Sequence, residues 1–162
     1  MAGLTDVIYG EICVAPAADD QPLNKESPMC FVCVDDVEWE ELDWGELGWV
    51  VRPANVPEAA KLCVLDVKIQ AGQGHDFHRH PNQEEVILLR SGAVEQWIRE
   101  ERRELRPGDV AFIPMDTVHA TFVAPDATEP ARLLVVLGPS HGTAGYEAVD
   151  ASTEEPWASL RR

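Results

Sequence analysis

The stretch 72–92, GQGHDFHRHPNQEEVILLRSG, constrains this chain more than any other. It holds His78 and His80 two apart, Glu85 five residues after the second, and Gly92 seven beyond that. On a β-strand, residues i and i+2 point to the same face with Cα atoms roughly 6.5–7 Å apart. Two imidazoles at that spacing can converge on one metal ion at about 2.0–2.1 Å each. Pro81-Asn82-Gln83 turns the chain, because proline lacks an amide donor and asparagine favours turns. Glu85 then opens a strand over 86–89 and can return a carboxylate to the same spot. A mixed nitrogen and oxygen site needs a further histidine, and His119 supplies it from GDVAFIPMDTVHA, a second strand ending in a Pro-containing turn.

The first block resembles the first motif of the cupin family: glycine, five residues, His-x-His, three or four residues, Glu, six residues, glycine. Gly72, His78, His80, Glu85 and Gly92 occupy every position. Gly108, Pro114 and His119 match the second motif, with Asp116 where a glycine is usual and Val123 where an asparagine is usual. Those departures touch turn geometry and the strand after the ligand, not the ligand itself. The resemblance covers about residues 60–138. It implies an all-β, single-domain cupin, a jelly-roll barrel with one divalent transition metal (Fe, Mn, Zn, Ni, Co or Cu) held inside by His78, His80, Glu85 and His119. Small cupins resemble one another in forming dimers, so a homodimer is expected. The implied organisation is an N-terminal extension over 1–55 packing on the barrel, a barrel core over 56–140 and a C-terminal tail over 141–162.

A chain of 162 residues suits one domain with its own core. No apolar run approaches the 18 or so residues of a membrane span, and MAGLTDVIYGE lacks a basic-then-apolar leader pattern, so the expectation is a cytoplasmic protein. The net charge of −16 repels nucleic acid and anionic membranes, leaving a small molecule as the expected partner. Cys30 and Cys33 resemble half a zinc knuckle, but i and i+3 on a strand over 30–34 point to opposite faces and no second pair exists. With Cys13 and Cys63 they read as buried, inert thiols.

Around the central stretch, an irregular lead-in carries one short strand over 7–14. Trp39, Trp44 and Trp49 stand five apart, which fits neither a helix stripe nor a strand face. They are expected to cover the outside of the barrel rather than line its mouth. In KLCVLDVKI the alternation puts Cys63, Leu65, Val67 and Ile69 on an inward face, while the continuous apolar run 86–89 reads as a strand buried on both sides. After Gly92, Val94, Gln96 and Ile98 share the inward face, making Gln96 either a candidate substrate-orienting catalytic residue or a side chain that pairs with backbone near a strand end. Trp97 then faces outward, to be covered by the N-terminal segment or a second subunit, with Trp39 and Trp44 beside it. Turns at 99–101, 106–109 and 126–130 separate further strands at 110–113, 120–123 and 131–137. The tail shows no chemistry-bearing pattern, only a short helix near Thr153 with Trp157 packed back on the body.

Three imidazoles and one carboxylate suit a borderline transition metal better than Mg or Ca, and leave positions open for water, dioxygen or a chelating substrate. His75 is expected at the rim, exposed; Glu84 outward; His141 on the surface. An interior poor in acids and bases favours chemistry in the metal's own shell, so the expected function is a metal-dependent oxygenase or related oxidoreductase acting on a small chelating molecule. The alternatives are a non-catalytic binding or sensing cupin, and a sugar isomerase or epimerase.

Overall fold

Strict alternation in Cys63–Ile69 places four apolar side chains on one face, and that face is the middle of the core. A computed structural model describes residues 31–160. The expected strand over 7–14, with Cys13 and Cys30, lies outside the described residues. Within them the strands are β1 Glu38–Leu42, β2 Gly45–Val51, β3 Cys63–Ile69, β4 Gly74–Arg79, β5 Glu84–Ser91, β6 Val94–Ile98, β7 Glu101–Leu105, β8 Val110–Ile113, β9 His119–Val123, β10 Ala131–Gly138 and β11 Val149–Asp150. A single helical turn, α1 Trp157–Leu160, follows. Every pairing is antiparallel.

The strands form two sheets, β1-β2-β3-β10-β5-β8 and β11-β4-β9-β6-β7, in the jelly-roll manner. The larger core lies between them, with Leu65, Ile69, Leu89, Leu133 and Leu137 from one sheet meeting Val94, Leu105 and Val123 from the other. Gly92 permits the turn from β5 into β6. Its φ is +82°, and an added Cβ would stand 2.8 Å from Ala131 Cα, beside a register shift between Arg132 and Leu133. Left-handed backbone and backbone contact together leave room only for glycine.

Several expectations are corrected. The run 86–89 alternates rather than being buried on both sides: Ile87 and Leu89 point into the core, while Val86 lies on the exposed face. Val34–Asp36 forms a 3-10 turn instead of continuing a strand, and Cys33 is exposed, not buried. Cys63 is buried as expected, and burial pushes its thiol up to about 11. Of the three tryptophans expected outside, Trp49 is in the core and donates its Nε1–H to Glu40 Oε2 at 3.1 Å. Trp44 packs against the core, and Trp39 alone is exposed.

Trp97 does face away from the inter-sheet core, but its cover comes from the opposite end of the chain. A second cluster joins Phe77, Trp97, Val118, Ala120 and Phe122 to Ala151, with Trp157 and Leu160 packed on it. Neither an N-terminal segment nor a second subunit is needed there. Trp97→Ala would empty the centre of this cluster and should cost about 3–5 kcal/mol, read as a lowered midpoint in urea with an unchanged slope.

Candidate metal centre

A bulge decides which side chains enter the cavity. Between His75 and His78 the β4–β9 register shifts by one residue, so His75 and His78, which plain alternation would put on opposite faces, both turn inward. Phe77 turns outward into the second cluster. His119 opens β9 directly opposite His78, and His80 follows β4. His78 and His119 belong to one sheet, and His80 sits one residue past the end of its strand β4. Glu85 comes from the other, on the inward face of β5 with Ile87 and Leu89. All four are buried, and one ligand atom from each lies within 4.8 Å of all the others.

Their hydrogen bonds fix where the lone pairs point. His78 Nδ1 lies 2.7 Å from the Asp76 carbonyl oxygen, His80 Nδ1 2.6 Å from that of Glu147, and His119 Nδ1 3.0 Å from that of Thr117. A carbonyl only accepts, so each Nδ1 carries a proton and each ring turns its Nε2 inward. Glu85 Oε2 stands 2.7 Å from His119 Nε2 and 3.3 Å from His80 Nε2. Despite that closeness, neither Glu85 Oε2 nor His119 Nε2 has a partner at hydrogen-bond geometry, and both are fully enclosed. Acceptors facing one another at this distance need a cation between them. Either a divalent ion or a proton on His119 meets the requirement, and the donor set, three imidazoles with one carboxylate, fits a borderline transition metal.

The electrostatics agree. Burial favours the neutral Glu85 acid, but His119 and His80 outweigh it and hold the carboxyl well below its usual range. Burial, reinforced by His75, His119 and His80, keeps His78 neutral. Burial also opposes a charged His119, yet Glu85 and the Thr117 carbonyl prevail and raise its pKa.

His75 is a correction. It is half-buried, lines the cavity, and is stacked between Trp44 at 4.6 Å and His78 at 3.8 Å. Burial lowers its pKa to about 4, so it is a neutral aromatic wall near pH 7. Trp44 therefore packs on the cavity-lining His75 rather than covering the outside of the barrel. Glu84 is exposed, facing away, and His141 is on the surface beside Glu147, both as expected. Gln96 faces inward and is buried, but it does not enter the histidine-lined cavity. Its Oε1 accepts from Thr121 Oγ1 at 2.7 Å and its Nε2 donates to the Trp97 carbonyl at 3.1 Å. It lines a separate crevice with Arg103 and Val110, and the intervening β9 gives the cavity Thr121 instead.

The tail carries what the sequence did not announce. Tyr146 lines the cavity, its ring 5.7 Å from that of His80, and the Glu147 carbonyl orients His80. Gln83 clamps this segment: its Nε2 donates to the carbonyls of Pro139 and Gly145 at 2.7 and 3.0 Å, and its Oε1 accepts from the Glu147 amide at 3.0 Å. Asp116 has φ 56°, the left-handed conformation that glycine adopts freely, and its amide donates to the His80 carbonyl at 3.0 Å. The cavity is about 40 Å³, space for roughly three waters at 10–15 Å³ each. Its other walls are aliphatic, including Leu47, Val67, Ile87 and Leu133.

A cupin domain family model matches residues 65–137. No curated protein matches the chain by sequence. Among solved structures, KdgF from Halomonas sp. is similar at 20% identity and TM-score 0.59, covering 68% of this chain and 94% of its own. Oxalate decarboxylase from Lactobacillus farciminis is similar at 21% identity and TM-score 0.61, covering 72% of this chain and 34% of its own. A Bacillus subtilis oxalate decarboxylase gives 20% and 0.62, covering 72% and 30%. The chain thus matches about a third of the decarboxylases' length, and at these identities the likeness is one of fold.

Competition between proton and metal for the same lone pairs has a measurable sign. His119 has a raised pKa, so below that value its proton must leave before a metal enters. Apparent affinity for Zn²⁺ or Mn²⁺ should therefore be flat above the raised pKa and fall about tenfold per pH unit below it. Calorimetry in buffers of different ionisation enthalpy should show close to one proton released per ion on the acid side.

Proposed function

This chain carries a cupin domain over residues 65–137, and on that premise we propose that it binds one divalent transition metal and oxidises a small chelating molecule there. His78, His80, Glu85 and His119 hold the ion. The observation that carries this reading is the contrast between that donor set and the walls around it. Apart from the four ligands, the polar groups lining the cavity are Thr121, Tyr146 and the stacked ring of His75. Among the described residues, no lysine and no second carboxylate lines the cavity to shuttle protons. A bound divalent ion supplies Lewis acidity and a template for dioxygen. The protein's own part is to fix the lone pairs through Nδ1, exclude water with aliphatic walls, and line one side with His75, which is stacked on Trp44.

Such walls disfavour a sugar isomerase or epimerase, since a polyol desolvated against leucine and valine would lose hydrogen bonds that two hydroxyls cannot replace. A binding or sensing cupin without turnover shares the same metal site. Oxygen uptake with candidate diketones, thiols or catechols separates the two, because a passive binder consumes none. The Mn(II) centres of Bacillus subtilis oxalate decarboxylase make manganese a natural first metal to supply.

Elemental analysis of protein purified without added metal is the direct test. The expected content is about one divalent ion per chain, largely lost in His78→Ala and His119→Ala and weakened in Glu85→Gln, with the apolar core keeping each variant folded. Glu84→Gln should leave occupancy nearly unchanged. Full occupancy in His119→Ala would exclude the four-ligand site.

The chain also works as a homodimer in this reading, through a surface other than the tryptophans. Val86, Val110, Phe112 and Met115 lie exposed on and beside β5 and β8, with Leu62 across the same groove. Among the described residues β8 is the end strand of its sheet, so an apolar face adjoins a backbone edge that no described strand pairs. Among the described residues no helix is long and apolar enough to cross a membrane, and a second copy is the occupant that satisfies both face and edge. Sedimentation at micromolar concentration should give about twice 17.9 kDa, and Phe112→Glu should return a folded monomer. A wild-type monomer would overturn the assignment.

A further inference from the structure

The charge balance of the cavity selects among chelating ligands. A divalent ion with Glu85 as its one anionic ligand leaves a single positive charge, since an imidazole that keeps its proton on Nδ1 and gives its Nε2 lone pair to the ion adds no charge. Around it, among the described residues, no lining residue is lysine or arginine. The walls are the aliphatic side chains of both sheets, and the hydroxyls of Thr121 and Tyr146 carry no charge. A chelator bearing one negative charge brings this enclosed volume to neutrality. A chelator bearing two leaves one uncompensated anion against leucine and valine, with no protein cation to meet it.

Resting on the metal reading above, we infer that the site takes a monoanionic, oxygen-donating chelator with an apolar body, and discriminates against small dianions. A 2-hydroxy or 2-oxo carboxylate, or the enolate of a 1,3-diketone, has this chemistry. Chelation uses two adjacent oxygens on the ion, and the remaining substituent lies on aliphatic wall. The small cavity, about 40 Å³, requires that substituent to be compact. The protein's net charge of −16 acts in the same direction, since it disfavours the approach of a dianion more than that of a monoanion.

Lactate and oxalate make a matched pair of probes. They have the same number of heavy atoms and both chelate through two oxygens, but one is a monoanion with a methyl group and the other a dianion. The cobalt(II)-loaded full-length protein would be titrated with each, following the d–d absorption of the ion, and cobalt content would be measured after each titration. The readout is the lactate-to-oxalate affinity ratio on the protein divided by the same ratio for aqueous cobalt(II). The expected value is about 100-fold in favour of lactate. A ratio near one, or in favour of oxalate, on protein that holds its cobalt would overturn the ligand assignment while leaving the metal site standing. Failure to load cobalt at all would instead overturn the metal reading and this inference with it. Thr121→Arg, which adds a cation to the wall, should shift the ratio toward oxalate; the wild-type measurement decides the matter even if that variant does not fold.

Discussion

Four lone pairs aimed at one point set the terms for the rest of this fold. Three imidazoles cannot choose their tautomer freely, because each Nδ1 faces a backbone carbonyl within 3.0 Å. The inward nitrogens are therefore the Nε2 atoms, and Glu85 adds a carboxylate oxygen 2.7 Å from one of them. Acceptors packed this closely repel unless a cation lies among them. His78 and His119 come from one sheet and the carboxylate from the other, so whatever supplies that cation also ties the two sheets together at this end of the barrel. Structure and site are coupled by this one electrostatic requirement.

The requirement explains why the ligands were legible in the sequence and their neighbours were not. His78, His80 and Glu85 are close in sequence, so their convergence follows from strand geometry and one turn. The parity that faces Gln96 inward and Trp97 outward holds, because β6 is regular and five residues long. What lies one strand further off did not follow from it. Parity says which face a side chain takes, not which of two adjoining cavities it enters, and Gln96 enters the other one. His75 was misplaced for a different reason. A one-residue bulge reverses parity at Asp76, and no residue in GHDFH signals it.

The tryptophans show the limit of spacing arguments. A five-residue interval excluded a common face correctly, yet it could not say that Trp49 would be core, Trp44 a stacking partner of His75 and Trp39 exposed. The turn between β1 and β2 intervenes, and each ring then meets a different environment. Asp116 is a gentler case. The sequence marks it as unusual for its motif, and the structure shows the reason glycine is usual there: the backbone is left-handed, a conformation aspartate tolerates better than most residues.

Most of the missing information sits between Pro139 and Glu147, beyond the residues 65–137 that the family model matches. This segment supplies a wall of the cavity, Tyr146, and the carbonyl that orients His80. It is held in place by Gln83, which lies within the turn between two ligands but reaches 56 to 64 residues along the chain. Its amide uses both donor and acceptor ends, so replacing it would unpair the Pro139 carbonyl and the Glu147 amide N–H, leave the Gly145 carbonyl with the His141 N–H alone, and free the loop. The ligand motif is thus not self-sufficient. Its second histidine takes its tautomer from a tail that pattern-matching leaves out, and the wall of the cavity is completed by the same tail. Chains sharing the four ligands but differing over this segment would keep the donor atoms and change both their support and what they accept.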